Sequence, residues 1–184
     1  GGAMVFTFFK AQGKKVGKSI AGEEFVDFAK KFLSNNQIVL PVDIVIADSL
    51  NANANSKVVG VNDITNEWMG LDIGPETIKV YKNVLKNAKT VVWCGPLGVF
   101  EFEKFANGTK EIAEFLTTLE AVTIIGGGDT AAAVEKFGYA DKLTHVSTGG
   151  AASLEFIEGK KFPGIEALEE SYKRETVSAV KSHD

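Results

Sequence analysis

Short apolar runs rich in β-branched residues alternate along the chain with longer segments in which apolar residues recur at helical spacing. This alternation is typical of βαβ units and predicts an α/β, Rossmann-like three-layer domain with a mostly parallel sheet. Four to five strands are expected, at residues 38–40 continuing through 43–47, 90–93, 122–125 and 143–146. Because these runs are apolar throughout, we expect central strands that are buried on both faces.

Helices are predicted in the intervening segments, at residues 24–33, 77–85, 108–119 and 130–137. Gly138 follows the last of them, at the position where a C-terminal helix cap is expected. Residues 51–66 are rich in Asn, Asp and Ser and contain one short strand-like run, at 57–61. We therefore expect this segment to lie outside the main sheet.

The two ends of the chain differ from its middle. Residues 4–12 predict an amphipathic helix directly after Gly1-Gly2, a pattern normally found just after a strand, so the sheet is expected to lack its first strand. Residues 165–173 predict a charged helix, and the polar remainder is expected to be mobile. The chain therefore divides into a partial domain and a charged C-terminal tail.

Composition narrows the possible functions. The 184 residues are 45% hydrophobic and 24% charged, which fits one globular domain. A net charge of −4 offers no basic stripe and no polybasic anchor, so we expect no nucleic-acid and no membrane partner, whereas a small or metal-masked anion fits as a ligand. The single cysteine, Cys94, excludes an internal disulfide framework and a cysteine-rich zinc site, and a cytoplasmic location is the expectation.

The strongest local pattern is an apolar strand, residues 122–125, that runs into the sequence Gly-Gly-Gly-Asp-Thr at 126–130 and then into a helix. A glycine turn at a helix N-terminus gathers free N–H groups and the positive end of the helix dipole, which favours a phosphate. Because Asp129 would repel that phosphate, a divalent cation is expected between them. The alternative is that Asp129 or Thr130 only caps the helix.

A second glycine turn, Gly149-Gly150, follows the strand predicted at 143–146 and leads into a helical run at 151–157. Turns after successive parallel strands lie side by side at the carboxyl edge of a sheet, where open α/β folds bind ligands. The two glycine turns are therefore expected to face one ligand. The alternative is that Gly149 and Gly150 only relieve crowding where a strand meets a helix.

A third strand end, residues 91–101, contains a Gly-Pro loop and a second glycine. Flat backbone and Val99 would suit an aromatic base, and Glu101 could accept hydrogen bonds from ribose hydroxyls. The alternative reading makes Glu101 an exposed acid before a helix, with Phe100 and Phe102 in the core. Residues 68–75 are too apolar for a plain loop and too rich in Gly and Pro for a helix, which fits either a pocket wall or a buried crossover.

Six segments, taken in order, resemble the C-terminal half of phosphoglycerate kinase over about residues 1–168. They are Gly1-Gly2-Ala3-Met4-Val5-Phe6-Thr7-Phe8, Leu40-Pro41-Val42-Asp43, Trp68-Met69-Gly70-Leu71-Asp72-Ile73-Gly74-Pro75, Trp93-Cys94-Gly95-Pro96-Leu97-Gly98-Val99-Phe100-Glu101, Gly126-Gly127-Gly128-Asp129-Thr130 and Ser147-Thr148-Gly149-Gly150-Ala151-Ala152-Ser153-Leu154-Glu155. The resemblance thus implies a partial domain over residues 1–168 and a charged tail over residues 169–184. It implies a monomeric, two-domain hinge enzyme of glycolysis that moves a phosphoryl group between 1,3-bisphosphoglycerate and ADP. The C-terminal domain would hold Mg²⁺ with ADP or ATP, and an N-terminal domain would hold 3-phosphoglycerate.

The resemblance also implies roles for individual residues. The nucleotide-binding set is Gly2, Gly70, Leu71, Cys94, Pro96, Gly98, Val99, Glu101, Gly127, Gly128, Asp129 and Thr130. Within it, Asp129 would bind the metal and Glu101 the ribose. Gly127, Gly128 and Thr130 would contact phosphate. The adenine pocket would be lined by Gly70, Leu71, Gly98 and Val99. Gly149 and Gly150 would be catalytic, with backbone N–H groups near the transferring phosphoryl group.

This sequence departs from the family pattern in ways that bear on activity. The N-terminal domain, with its substrate-binding arginines, and the nucleotide-contacting lysines that open the C-terminal domain are not in this chain. The chain alone is therefore expected to be catalytically incomplete. Ala3 and Ala151 replace glycines, and Cys94 replaces an asparagine, which leaves open a degenerate kinase-like domain with an interaction or regulatory role. A nucleophilic Cys94 is a further alternative, with His145 one strand over as the candidate base.

Overall fold

The computed structural model describes residues 1–34 and 38–181 of the chain. Within these ranges the strands are β1 (Asp43–Ala47), β2 (Ser56–Gly60), β3 (Met69–Ile73), β4 (Thr90–Cys94), β5 (Val122–Gly126) and β6 (His145–Ser147). The α-helices are α1 (Met4–Ala11), α2 (Val26–Leu33), α3 (Pro75–Leu85), α4 (Asn107–Leu116), α5 (Gly128–Lys136), α6 (Ala151–Ile157) and α7 (Pro163–Lys181). Short 3₁₀ turns occur at Glu23–Phe25, Glu103–Phe105 and Ala140–Lys142.

A parallel sheet with the order β4-β5-β6 forms the Rossmann-like part of the fold. Ile125 in the central strand is fully buried, and the cluster around it contains Trp93 from β4, Ile112 from α4 and Val134 from α5. Parallel strands need crossover connections, and α4 and α5 lie in the connections that follow β4 and β5. The predicted α/β, Rossmann-like class is confirmed.

A second sheet is antiparallel and has the order β2-β1-β3. The prediction that residues 43–47 belong to a parallel sheet is therefore wrong. Residues 38–40, predicted as the start of the same strand, are not part of a strand. Residues 57–61 form most of β2, which lies outside the parallel sheet as predicted, but β2 pairs with β1, a strand that had been expected in that sheet.

Burial on both faces is confirmed for β1, because its neighbours Ile46 and Ala47, which face opposite sides of the sheet, are both 0% exposed. It is wrong for β4 and β6, in which every residue except Trp93 is exposed or half-buried.

The helices agree with the predicted segments to within a few residues, and the deviations have local causes. α3 begins at Pro75, before the predicted start, because Pro fits the first turn of a helix and Asp43 of β1 caps that turn. The Asp43 carboxylate accepts hydrogen bonds from the Glu76 and Thr77 amides at 3.0 and 2.7 Å. Gly138 follows α5 with a φ of +73°, as expected of a helix cap.

The C-terminal helix α7 continues to Lys181, beyond the helix predicted at 165–173. Residues 182–184 of the predicted tail lie outside the described residues. None of the helices in the described ranges is long and apolar enough to cross a membrane.

Candidate functional site

A cavity of about 390 Å³ lies where the start of α1, the strand β3, the loop after β4 and the start of α5 meet. Eight of the residues predicted to bind a nucleotide line it: Gly2, Gly70, Leu71, Pro96, Gly98, Val99, Glu101 and Asp129. They come from four separate segments of the sequence. The fold therefore gathers most of the predicted site around one cavity.

Backbone hydrogen bonds join the walls of this cavity to one another. The Val99 amide in the loop after β4 donates to the Leu71 carbonyl of β3 at 2.8 Å. The Gly2 amide donates to the Leu97 carbonyl at 3.1 Å, which ties the start of α1 to the same loop. These bonds hold the loop after β4 against β3 on one side and against the start of α1 on the other, so the cavity has a defined shape.

Two glycines of the wall are packed too closely to carry a side chain. A methyl group on Gly70 would overlap the ring of Phe6, and one on Gly98 would overlap the carboxyl of Asp72 and the Phe105 carbonyl. Glycine at these positions therefore lets the backbone form the wall directly. The sequence of residues 68–75 fitted either a pocket wall or a buried crossover. In the structure this segment contains the strand β3, whose second half is buried and which also lines the cavity.

Two carboxylates, Asp129 and Glu101, are exposed and line the cavity. Asp129 is the second residue of α5, whose N-cap is Gly127 with a φ of +96°. Within the described part of the chain, neither a hydrogen bond nor an ion pair holds the Asp129 carboxylate. Asp129 therefore does not cap α5 and is free to bind a ligand beside the positive end of that helix.

The described residues contain no group of three or more His, Cys, Asp or Glu side chains that could hold a metal ion. A cation bound by Asp129 would thus need most of its ligands from another molecule. This suits Mg²⁺, which is commonly held by one or two carboxylates together with substrate phosphates and water.

The two glycine turns lie side by side, as predicted. β5 pairs with β6 in parallel, and the Gly127 amide donates to the Gly149 carbonyl at 3.1 Å. Ser153 also donates its hydroxyl to that carbonyl at 2.6 Å, while the Ser147 hydroxyl accepts from the Gly149 amide at 3.1 Å. The backbone of both turns is thereby fixed at the carboxyl edge of the sheet.

Thr130 and Cys94 adjoin the glycine turns rather than line the cavity. Thr130 is 1% exposed, and its hydroxyl accepts a hydrogen bond from the Gly95 amide at 2.7 Å. The predicted phosphate contact of Thr130 stays a prediction. Cys94 is exposed at the end of β4, opposite Gly126 in the register. β5 separates Cys94 from His145, so the thiol lacks the adjacent base that nucleophilic catalysis requires.

Some residues of the cavity were not predicted, among them Lys18, Ser19 and Asp72. Ser19 accepts a hydrogen bond from the Gly70 amide at 2.9 Å, and Lys18 is the one cationic side chain of the lining in the described residues. The signal in the sequence was weak, because both residues lie in a polar loop. Asp72 lies in an apolar run and gave no signal of its own.

Ala3 and Ala151, the two departures from glycine, occupy ordinary helical positions. Ala3 has φ −62° and ψ −33° at the start of α1, and Ala151 is the first residue of α6. Neither position requires the backbone freedom of glycine.

The fold combines a cavity, two exposed carboxylates and two adjacent glycine turns. This arrangement is typical of α/β domains that bind ligands at the carboxyl ends of parallel strands. A family model described as phosphoglycerate kinase matches residues 1–160. The chain belongs to the phosphoglycerate kinase family.

Relatives of known sequence agree with this assignment. The phosphoglycerate kinase of Gloeothece citriformis is 53% identical over 179 residues, which cover 93% of this chain and 45% of that protein. The phosphoglycerate kinase of Limosilactobacillus reuteri is 55% identical over 171 residues, covering 91% and 42% respectively. The chain therefore spans somewhat less than half the length of the curated relatives it matches.

A solved structure of phosphoglycerate kinase from Coxiella burnetii superposes with a TM-score of 0.86 at 40% sequence identity. The match covers 95% of this chain and 46% of that one. The phosphoglycerate kinase of Pyrococcus horikoshii gives a TM-score of 0.78 at 29% identity, with 92% and 44% coverage.

Proposed function

We propose that this chain is the nucleotide-binding half of a phosphoglycerate kinase, and that the cavity binds ADP or ATP together with Mg²⁺. The observation that carries the proposal is the exposed carboxylate of Asp129. It lines an otherwise largely apolar cavity at the start of a helix, next to two glycine turns, and no described residue pairs with it.

The adenine base would lie against the wall formed by Gly70, Leu71, Gly98 and Val99. A volume of about 390 Å³ is within the range of small-molecule sites. The two glycines expose flat backbone, and Leu71 and Val99 add apolar contact, which suits an aromatic ring. The ribose would lie towards Glu101, whose exposed carboxylate is an acceptor for vicinal hydroxyls.

The phosphates would lie at the start of α5. Gly128 is the first residue of this helix and has open space around it, and backbone N–H groups at a helix N-terminus favour an anion. Asp129 alone would repel a phosphate, so this arrangement is favourable when Mg²⁺ neutralises charge between them. Asp129 would supply one ligand to that ion, and Gly127 and Gly128 would contact the phosphates.

Gly149 and Gly150 would lie beside the transferring phosphoryl group. Their turn is hydrogen-bonded to Gly127, and the Gly127 and Gly149 amides already donate within the protein. Among the described residues, the amides of Gly128 and Gly150 are therefore the ones that the two turns could present to the same charge without reorganisation. In the whole protein, the reaction would be ATP + 3-phosphoglycerate ⇌ ADP + 1,3-bisphosphoglycerate. We assign 3-phosphoglycerate to the part of the relatives that this chain does not span, and we expect the chain alone to be inactive.

Calorimetric titration with ADP, in the presence and absence of Mg²⁺, tests the proposal. The unaltered chain should bind saturably in the presence of the metal. Asp129→Asn should weaken binding of Mg·ADP by at least about tenfold, as expected for a lost metal ligand, and should change metal-free ADP binding little. Asp141→Asn is the matched control, because Asp141 is exposed and does not line the cavity. Equal effects of Asp129→Asn with and without metal would contradict the ligand assignment.

A further inference from the structure

Two buried aspartates, Asp43 and Asp72, each hold the first turn of a helix, but only Asp72 also lines the cavity. Asp72 is 4% exposed in β3. One carboxylate oxygen accepts from the Gly108 amide in the first turn of α4 at 2.8 Å, and the other accepts from the Ile73 amide at 2.8 Å. Asp72 therefore links β3 to α4 across 36 residues of sequence.

The carboxyl of Asp72 also fills the space left by two glycines. A methyl group on Gly98, in the cavity wall, would overlap this carboxyl, and so would a methyl group on Gly108. The loop after β4 is thus in direct van der Waals contact with Asp72. A displacement of the carboxyl would therefore remove a packing contact that holds Gly98 in the cavity wall.

A second route joins Asp72 to the same loop through α4. Thr109 follows Gly108 and is fully buried. Its hydroxyl accepts hydrogen bonds from the Leu97 and Gly98 amides at 3.0 and 3.3 Å. When Asp72 fixes the first turn of α4, it therefore also fixes the hydroxyl that holds the loop.

We propose that Asp72 is a positioning residue of the nucleotide site, which sets the place of the wall at Leu97–Val99 against which the base lies. This inference rests on the proposed function. Asp72 acts through the loop and α4, and a nucleotide need not touch it.

The chemistry of the position supports this role. Burial raises the pKa of Asp72 to about 7, although the amides of Gly108 and Ile73 favour its charged form. An ionisable group held in such surroundings costs stability relative to a well-packed apolar residue. A carboxyl is needed, however, to accept from two amides in two different elements at once.

Asp43 offers a matched control. It is 7% exposed, caps α3 through the Glu76 and Thr77 amides, and leaves no room for a methyl group on Gly74. It differs from Asp72 in that it does not line the cavity. The Asp43 carboxylate also accepts from the Thr77 hydroxyl at 2.6 Å. Asp43→Asn and Asp72→Asn therefore each damage a buried helix cap, and only the second should disturb the wall.

The experiment measures Mg·ADP affinity and amide hydrogen exchange in both variants of the full chain. An Asn side chain can accept from only one of the two amides at position 72, because its NH₂ group is a donor. Asp72→Asn should raise the Kd for Mg·ADP about tenfold and speed exchange at Leu97, Gly98 and Gly108. Asp43→Asn should speed exchange at Glu76 and Thr77 and leave the Kd within about twofold.

Equal changes of Kd in the two variants, or unchanged exchange of the loop amides in Asp72→Asn, would overturn the inference. If the unaltered chain does not bind Mg·ADP but Asp72→Asn still loosens the loop selectively, the proposed function fails and the positioning of the loop stands. Thr109→Val removes only the hydroxyl acceptor and provides a test if Asp72→Asn does not fold. It should speed exchange at Leu97 and Gly98, and unchanged exchange there would overturn the route through α4.

Discussion

The buried carboxyl of Asp72 makes a prediction about stability that needs no ligand. Asp72→Asn replaces a titrating group by a neutral one of nearly the same shape. Burial raises the Asp72 pKa from its ordinary value of 3.8 to about 7, so the folded chain holds this proton more tightly than the unfolded chain does. The stability that Asp72 contributes is therefore fully present below about pH 4 and is lost as the pH rises through about 7.

The size of the effect follows from the two pKa values. One unit of pKa difference corresponds to about 1.4 kcal/mol. Linkage then requires the free energy of unfolding of the unaltered chain, relative to Asp72→Asn, to fall by about 3 kcal/mol between about pH 4.5 and 7.5. All other titrating groups are common to the two proteins and cancel to first order in this difference.

Urea unfolding at a series of pH values measures this difference, with the fluorescence of Trp68 and Trp93 as the signal. The slope of unfolding free energy against urea should be the same for both proteins at each pH, because a changed slope would indicate a changed folded or unfolded state. A difference that stays constant with pH, or that grows in favour of the unaltered chain as the pH rises, would refute the reasoning about burial of Asp72.

Three further predictions concern packing and activity. Gly70→Ala should lower the free energy of unfolding by about 1–3 kcal/mol, because its methyl group meets the Phe6 ring. Gly164→Ala, in open space within α7, should not lower it, and equal losses in urea unfolding would contradict the packing argument. Cys94→Asn should tighten Mg·ADP binding by about 0.5–1.5 kcal/mol in calorimetry, since an amide hydrogen-bonds better than a thiol, and an unchanged affinity would make Cys94 a neutral replacement. The chain alone should show no phosphoryl transfer between ATP and 3-phosphoglycerate in a coupled assay, and turnover above background in protein free of host kinase would contradict the assignment of the acceptor site.

The parallel sheet and its glycine turns could be predicted because their signals are local. β5 and β6 are each followed within a few residues by a glycine turn and a helix, as at β5, Gly127 and α5. Adjacent strands then place such turns together without further information. The hydrogen bond from Gly127 to the Gly149 carbonyl is the result.

The antiparallel sheet could not be predicted, because a strand buried on both faces has the same apolar pattern in either kind of sheet. The run 43–47 fitted a parallel partner as well as it fitted β2 and β3. β3 was not predicted because it contains Gly70 and is followed by Gly74-Pro75, and glycine and proline are depleted in strands.

Asp72 was missed for a different reason. An aspartate between Leu71 and Ile73 has no local pattern that indicates its partners. Gly108, which it caps, is 36 residues away, and Gly98, which it contacts, is 26 residues away. Such a role depends on tertiary structure alone. The exposed Asp129 was found because its glycine turn is adjacent in sequence.

Amide hydrogen exchange of the unaltered chain with and without Mg·ADP tests the central claim most directly. If the cavity is the nucleotide site, Mg·ADP should slow exchange in two separate segments, Gly98–Val99 at the base wall and Gly127–Asp129 at the start of α5. ADP without metal should protect the second segment much less. Protection confined to other segments, or none at saturating Mg·ADP, would contradict the account.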